Sequence, residues 1–278
     1  MPPSRTADLH LHTRFSDGTD TPQRVVELAK AAGLSAMALT DHDNVDAIAI
    51  AAPAAQQHGV ELIPGVEMSA SAGDEDVHLL GFYLDVEHPG LRQHLAEQQA
   101  RRVQRVHEMV RRLQQAGVRI EADEVFATAG KGTVGRPHLA RVLLRRGYVT
   151  TMAEAFQKYL GPDNPGFVPG SPLMPRQVIQ VIRASGGVPV LAHPIHLKRD
   201  ELIEQLVKDG LAGIEAYHAD HDPAAVRRYE LMADRLGLVK TGGSDYHGTS
   251  KEGRPVGTSR VPYALVEALR QSKAALAR

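Results

Sequence analysis

Along the first ninety or so residues, short apolar runs alternate with longer stretches of helical period. "ADLHLHT" precedes "TPQRVVELAKAAG", "SAMALTDHD" precedes "NVDAIAIAAPAAQQHG", and "VELIPGVEMSA" and "DVHLLGFYLD" follow. Strand and helix in alternation predict a parallel sheet, closed as a barrel or doubly wound. Thr21 and Pro22 mark an N-cap and first turn, and Gly33 and Gly59 mark two helix C-termini. The pattern changes after residue 88. From about Leu91 to Gly117 the chain reads as one long helix, with Val103, Val106, Val110 and Leu113 spaced by three and four. Further helical pieces, "EADEVFATAG", "RPHLARVLLRRG" and "TMAEAFQKYL", lead into the loop "GPDNPGFVPGSPLMP". Alternation then resumes with "GGVPVLAHP", "ELIEQLVKDG", "GIEAYH", "AAVRRYELMADRLG" and "LVKTGGSDYHG". The prediction is an α/β barrel built from residues 1–87 and 171–278, interrupted by a mainly helical cap at 88–170.

A chain of 278 residues with 42% hydrophobic content can bury a sizeable core. Its formal net charge of -1 gives no global field for holding long nucleic acid, so a small anionic substrate fits better. The absence of cysteine removes disulfides, thiolate nucleophiles and thiolate metal sites together, leaving His, Asp and Glu as metal ligands. No stretch approaches the roughly 18 to 20 apolar residues of a membrane span, and "MPPSRTADLHLH" carries no apolar signal segment. The expected location is the cytoplasm.

In "ADLHLHTRFSDG", Asp8, His10 and His12 occupy every second position, so a strand would carry them on one face and Leu9 and Leu11 on the other. Alone, this spacing fits wet histidines on a surface strand as well as it fits a metal site. The rest of the chain separates the readings, because the candidate strands end in the same chemistry: His10 and His12, Asp41 and His42, Glu67, His78, His193, Asp245 and His247. Strand ends on one rim of a barrel converge in space.

Taken in order, "DLHLHTRFSDG", "ALTDHD", "PGVE", "HLLGF", "LAHP" and "GGSDYH" resemble the motifs of the PHP family, the polymerase-and-histidinol-phosphatase metal phosphoesterases. The resemblance implies a distorted (β/α)7 TIM-like barrel and three divalent ions. His10, His12, Glu67 and Asp245 would hold one ion. Glu67 would bridge to a second, shared with His78 and His193, and Asp17, His42 and His247 would take a third. Asp8 would orient a ligand histidine. Manganese ranks first for such nitrogen and oxygen ligands, with Fe²⁺ and Zn²⁺ also suited. The implied chemistry is in-line attack on phosphorus by a metal-activated water.

The insertion, with "KGTVGRPHLARVLLRRG", resembles the branch of the family that acts on nucleoside 3',5'-bisphosphates, 5'-nucleotides and the 5' ends of short RNA. Arg136 and His138, at a helix start, are candidates for holding a substrate phosphate. Lys198 and Arg199 are further candidates, as is His196 beside them, and His221 resembles a family position that approaches the phosphate. His218 has no such counterpart. Arg141, Arg145 and Arg146 read as a solvated helix face, Asp74, Glu75 and Asp76 as solvated loop charges, and the basic run from Arg101 to Arg112 as cap structure. The expected partner is a small nucleotide or short oligonucleotide, with no membrane. Histidinol phosphate is the alternative substrate, and a metal-stabilised regulatory domain the non-enzyme alternative.

Overall fold

The computed structural model describes residues 5–73, 75–170, 173–197, 199–251 and 253–276. The chain begins β1 (Thr6–Leu11), α1 (Pro22–Ala31), β2 (Ala36–Leu39), α2 (Asp46–His58), β3 (Glu61–Ala72) and β4 (Glu75–Phe82). The Thr21 hydroxyl caps α1 by accepting from the Arg24 N–H, and Gly33 and Gly59 follow α1 and α2 at positive φ, as the sequence predicts. Next come α3 (Pro89–Gln115), α4 (Ala122–Ala129), α5 (Arg136–Arg145) and α6 (Met152–Ala155), the last running into a π-helical turn at Phe156–Leu160. After α7 (Pro175–Ala184) the alternation returns as β5 (Val188–Leu191), α8 (Glu201–Lys208), β6 (Gly213–His218), α9 (Pro223–Leu236) and β7 (Val239–Gly243). A short β8 (Val261–Pro262) and α10 (Tyr263–Leu276) complete the described chain.

The eight strands lie in the order β7-β6-β5-β4-β3-β2-β1-β8. The sheet curls until the segment after β7 meets β1, where the His12 N–H donates to Tyr246 O at 2.9 Å. Gly243 permits this approach, since a Cβ there would lie 2.4 Å from Cβ of His10. The result is a nearly closed barrel. Most neighbours are parallel, but β3 and β4 form an antiparallel hairpin and β4 also runs antiparallel to β5. This corrects the expectation that every site residue ends a strand: Glu67 and His78 lie within β3 and β4. In their register Glu67 faces Leu80 and Ser69 faces His78, which puts Glu67 and His78 diagonally on one face.

Leu9 and Leu11, expected on one face, enter different apolar clusters, because the pairing of β1 with β2 shifts register between Asp8 and Leu11. Leu9 joins a cluster shared with α10, whereas Leu11 joins the layer between strands and surrounding helices. A third cluster lies in the inserted segment. There Val106, Met109, Val110 and Leu113 of α3 pack with Val125 of α4, Leu139, Val142 and Leu143 of α5, and Leu160. Val103, expected in this stripe, is 39% exposed. The earlier α3 residues Leu91 and Leu95 belong to the barrel's cluster, so one helix contributes to two cores. Among the described residues, no helix is long and apolar enough to cross a membrane.

Candidate metal centre

The curled sheet brings the donor residues to one place. Oε2 of Glu67 lies 3.1 Å from Nε2 of both His10 and His12, while Oε1 lies 2.8 Å from Nδ1 of His78 and 3.0 Å from Nε2 of His193. The two oxygens of this carboxylate therefore face different donor sets. Asp17 lies 3.2 Å from Nε2 of His247, 3.7 Å from Nδ1 of His12 and 3.9 Å from Nε2 of His42. Oδ1 of Asp245 stands 3.4 Å from Nε2 of His12 and 3.6 Å from Nε2 of His10. His193 and Asp245 hold these positions at positive φ, 27° and 50°, a backbone strain of the kind that clusters at functional sites.

These groups fit divalent cations. Four overlapping sets bring their donor atoms within 4.8 Å of one another: His12, Asp17, His42 and His247; His10, His12 and Glu67; His42, Glu67 and His78; and His10, His218 and Asp245. Oδ1 of Asp17 and Nδ1 of His42 are buried without a hydrogen-bond partner among the described residues, a costly arrangement unless something else occupies that space. The electrostatics agree. Burial alone would raise Glu67, yet His42, His10 and His78 hold it well below the usual carboxylate range. Burial opposes a charge on His12, but Asp245, Glu67 and Asp17 outweigh it and push this imidazole up to about 9. The carboxylates demand positive charge, and nitrogen and oxygen donors at this density suit Mn²⁺, Fe²⁺ or Zn²⁺.

The residues behind the donors differ from the sequence expectation. Asp8 orients no ring. Its carboxylate accepts from the Ser244 N–H at 3.0 Å, the Ser244 hydroxyl at 2.7 Å, the Gly257 N–H at 2.8 Å and the His10 N–H at 3.3 Å, tying β1 to the segments after β7. The orienting carboxylate is Glu215, which the sequence reading missed: it accepts from Nδ1 of His10 at 3.1 Å and from the His193 N–H at 2.8 Å. "GIEAYH" held the signal, an acid in the middle of a buried strand. His218, set aside by the sequence reading, is also part of the centre. Its Nδ1 accepts from the Asp220 N–H at 3.1 Å, and its Nε2 lies 3.5 Å from Oδ2 of Asp245. Asp41 is spent on structure, accepting from the Thr13 N–H and from the hydroxyls of Thr13 and Ser16, each at 2.7 Å.

A cavity of about 730 Å³ opens over the donors and reaches α3 and α5. Asp17, His42, Glu67, His78, His193, Asp245 and His247 line it, with His196 and Lys251. Arg101, Arg102 and Arg105 of α3 line the same cavity together with Arg136 at the start of α5. The place of the three α3 arginines departs from the expectation that this basic run is only cap structure. Nε of Arg102 donates to Oδ2 of Asp43 at 2.7 Å and its Nη2 to the Ser69 hydroxyl at 2.9 Å. Burial, with Arg136 and Arg102 close by, pushes Arg105 down to about 10. Arg136 donates to Asp76 at 3.1 Å; Asp76 is exposed, as expected, but lies in β4 rather than in a loop and lines the cavity.

The other phosphate candidates lie elsewhere. His138 is buried outside this cavity and caps its own helix, Nδ1 accepting from the Gly135 N–H at 3.1 Å. Arg199 turns out to solvent and pairs with buried Glu75 at 2.9 Å. His221 donates from Nδ1 to Ala216 O at 2.9 Å and does not line the cavity. Arg141 is no solvated residue, since its guanidinium donates to Asp17 O and the Ser250 hydroxyl. Lys198 and Asp74 lie outside the described residues.

Comparison with known proteins agrees with this geometry. The chain is 36% identical over 256 residues to the 3',5'-nucleoside bisphosphate phosphatase of Chromobacterium violaceum, covering 90% of each protein. It is 35% identical over 250 residues to the 5'-3' exoribonuclease Rnm of Salmonella typhimurium, covering 86% of this chain and 84% of that one. A solved structure from Bifidobacterium adolescentis, described as a metal-dependent phosphoesterase, superposes with a TM-score of 0.90 at 33% identity over 98% of both chains. Residues 8–158 match the PHP domain model. The chain therefore belongs to the PHP domain family and is a metal-dependent hydrolase of phosphoric esters.

Proposed function

We propose that this chain is a cytoplasmic phosphatase of nucleotides whose main substrate is a nucleoside 3',5'-bisphosphate, with 5'-nucleotides and the 5' ends of short RNA as further substrates. The observation that carries the reading is a single cavity lined both by the donor cluster and by the guanidiniums of Arg101, Arg102, Arg105 and Arg136. A substrate with one phosphate on the donors and another on these arginines would engage both. The activities for which the Chromobacterium violaceum and Salmonella typhimurium relatives are named lie within the same substrate class.

In this reading three ions, manganese first, are held by His10, His12, Glu67 and Asp245, by Glu67, His78 and His193, and by Asp17, His42 and His247. Bound there, divalent cations supply Lewis-acid stabilisation of phosphoryl oxygens and an activated water at neutral pH. The protein's own part is positional. Glu215 accepts a hydrogen bond from Nδ1 of His10 at 3.1 Å and the Asp245 carbonyl accepts one from Nδ1 of His247 at 2.8 Å, leaving Nε2 of each ring a lone pair facing the cluster. Arg136, Arg105 and Arg101 hold the phosphate that is kept, and Lys251, 2.6 Å from Oδ2 of Asp245, keeps that carboxylate ionised.

Steady-state assay of adenosine 3',5'-bisphosphate, AMP, histidinol phosphate and a 5'-phosphorylated short RNA, with metal analysis of the same sample, tests the proposal. The bisphosphate should give the highest kcat/KM. Preference for histidinol phosphate would overturn it.

A further inference from the structure

The lining beside the arginines is not only cationic. Phe156, Pro137, Val168 and Pro169 form an apolar wall beside the guanidiniums, and among the described residues Phe156 is the one phenylalanine, tyrosine or tryptophan that lines the cavity. The whole chain has five Phe, seven Tyr and no Trp, so an aromatic at this place is not a by-product of abundance. A phosphate gains nothing from such a wall.

The wall is also held firmly. Phe156 opens the π-helical turn, a local rewinding that recurs at functional sites. Its carbonyl accepts from the Gly161 N–H at 2.8 Å and from Nδ2 of Asn164 at 3.1 Å, and Asn164 also donates to Gln157 O at 3.0 Å. Opposite, Arg105 donates from Nε and Nη2 to Val168 O at 3.0 and 2.7 Å. Gly170 lies against Asp76, a Cβ there coming within 2.7 Å of its Oδ1. Asp76 in turn holds Arg136, whose guanidinium carbon lies 6.0 Å from the Phe156 ring centroid. A flat face and a planar cation thus stand together next to the anion-binding arginines.

Resting on the function proposed above, we infer that Phe156, with Val168, Pro169 and Pro137, seats the nucleobase of the substrate. The ligand class is a planar aromatic heterocycle carried on the same molecule as the phosphates. Stacking of a base on an aromatic ring is sequence-tolerant, so this seat selects for the presence of a base and weakly among bases.

The test compares KM for adenosine 3',5'-bisphosphate with KM for a base-free analogue, 1-deoxyribose 3,5-bisphosphate, in wild type, Phe156→Leu and Phe156→Tyr, with melting temperatures to show that each variant folds. Loss of stacking in Phe156→Leu should raise KM for the nucleotide by roughly 5- to 30-fold more than KM for the analogue. Phe156→Tyr should keep the wild-type ratio. Equilibrium dialysis of AMP against the metal-free protein should show weakening by a similar factor in Phe156→Leu. An unchanged ratio of the two KM values in a folded Phe156→Leu overturns the inference, and equal losses on both substrates return Phe156 to a packing role. Failure of the wild type to turn over any nucleotide would overturn the proposed function itself, a result distinct from either.

Discussion

Nδ1 of His10 lies 3.1 Å from Oε1 of Glu215, and neither side chain is exposed. A carboxylate cannot donate, so the ring proton is on Nδ1 and Nε2 is left as a ligand atom. Glu215→Gln keeps the shape and removes the charge. Metal affinity is expected to fall about 10- to 100-fold, as measured by titration against a competing chelator. Unchanged affinity would mean that His10 keeps its orientation without help.

Asp8→Asn should act on stability instead. Its amide would face the backbone donors of Ser244 and Gly257 with one acceptor fewer. A buried donor left unpaired costs about 1 to 3 kcal/mol. Urea unfolding of the metal-free protein should show a loss of that order, while metal affinity stays within about threefold of wild type. A large loss of affinity without loss of stability would restore the sequence expectation for Asp8.

Glu67 serves two donor sets through its two oxygens, so Glu67→Ala should empty more than one metal position at once. Elemental analysis of protein purified with manganese would show this directly. Wild-type metal content in the variant would rule out a bridging role.

Arg136→Ala should lower kcat/KM for a nucleoside 3',5'-bisphosphate by about 10- to 150-fold, the worth of one charge-assisted hydrogen bond. p-Nitrophenyl phosphate has no second phosphate, and its turnover should change little. Equal losses on both would place Arg136 at the reacting phosphate or in the fold.

His138 gives a pH signature. Burial, against the pull of Asp17 and helped by Arg141, pushes this ring down to about 4. The unfolded chain binds the proton near pH 6.5, so between about 6.5 and 4 the unfolded state carries a proton that the folded state refuses. The contribution is therefore full above about pH 6.5, declines as pH falls toward 4, and is flat below. A shift of that size corresponds to about 3 kcal/mol at most. His138→Gln retains an acceptor for the Gly135 N–H and removes the titration. The stability gap between the two proteins, measured by urea unfolding without metal, should narrow from pH 7.5 to pH 5. A constant gap would show that the folded and unfolded chains bind this proton alike.

The sequence exposed the donors because barrels gather strand-borne histidines and acids on one rim, and β1, β2, β5 and β7 obey that rule. It misplaced Glu67 and His78 along their strands because "VELIPGVEMSA" and "DVHLLGFYLD" read alike whether the chain crosses over or doubles back. Glu215 and His218 were hidden for another reason: an acid and a histidine in "GIEAYH" show their meaning only when burial is known. The substrate end was the least legible. Arg136 and His138 share one short motif, yet about half a helical turn between them sends one into the cavity and the other to a buried place beside Ser16 and Asp17. Arg101, Arg102 and Arg105 were visible as charge, but which way α3 faces depends on the core that Val106, Met109 and Val110 find.

That core has a mechanical side. α3 is one helix of 27 residues with Leu91 and Leu95 sunk in the barrel and Val106 to Leu113 sunk in the cap, and between these footings Arg102 is pinned to Asp43, the neighbour of His42. At about 1.5 Å per residue, Arg101 to Arg105 span about 6 Å of a rod fixed at both ends. The interval between donors and guanidiniums is thus set before any ligand arrives.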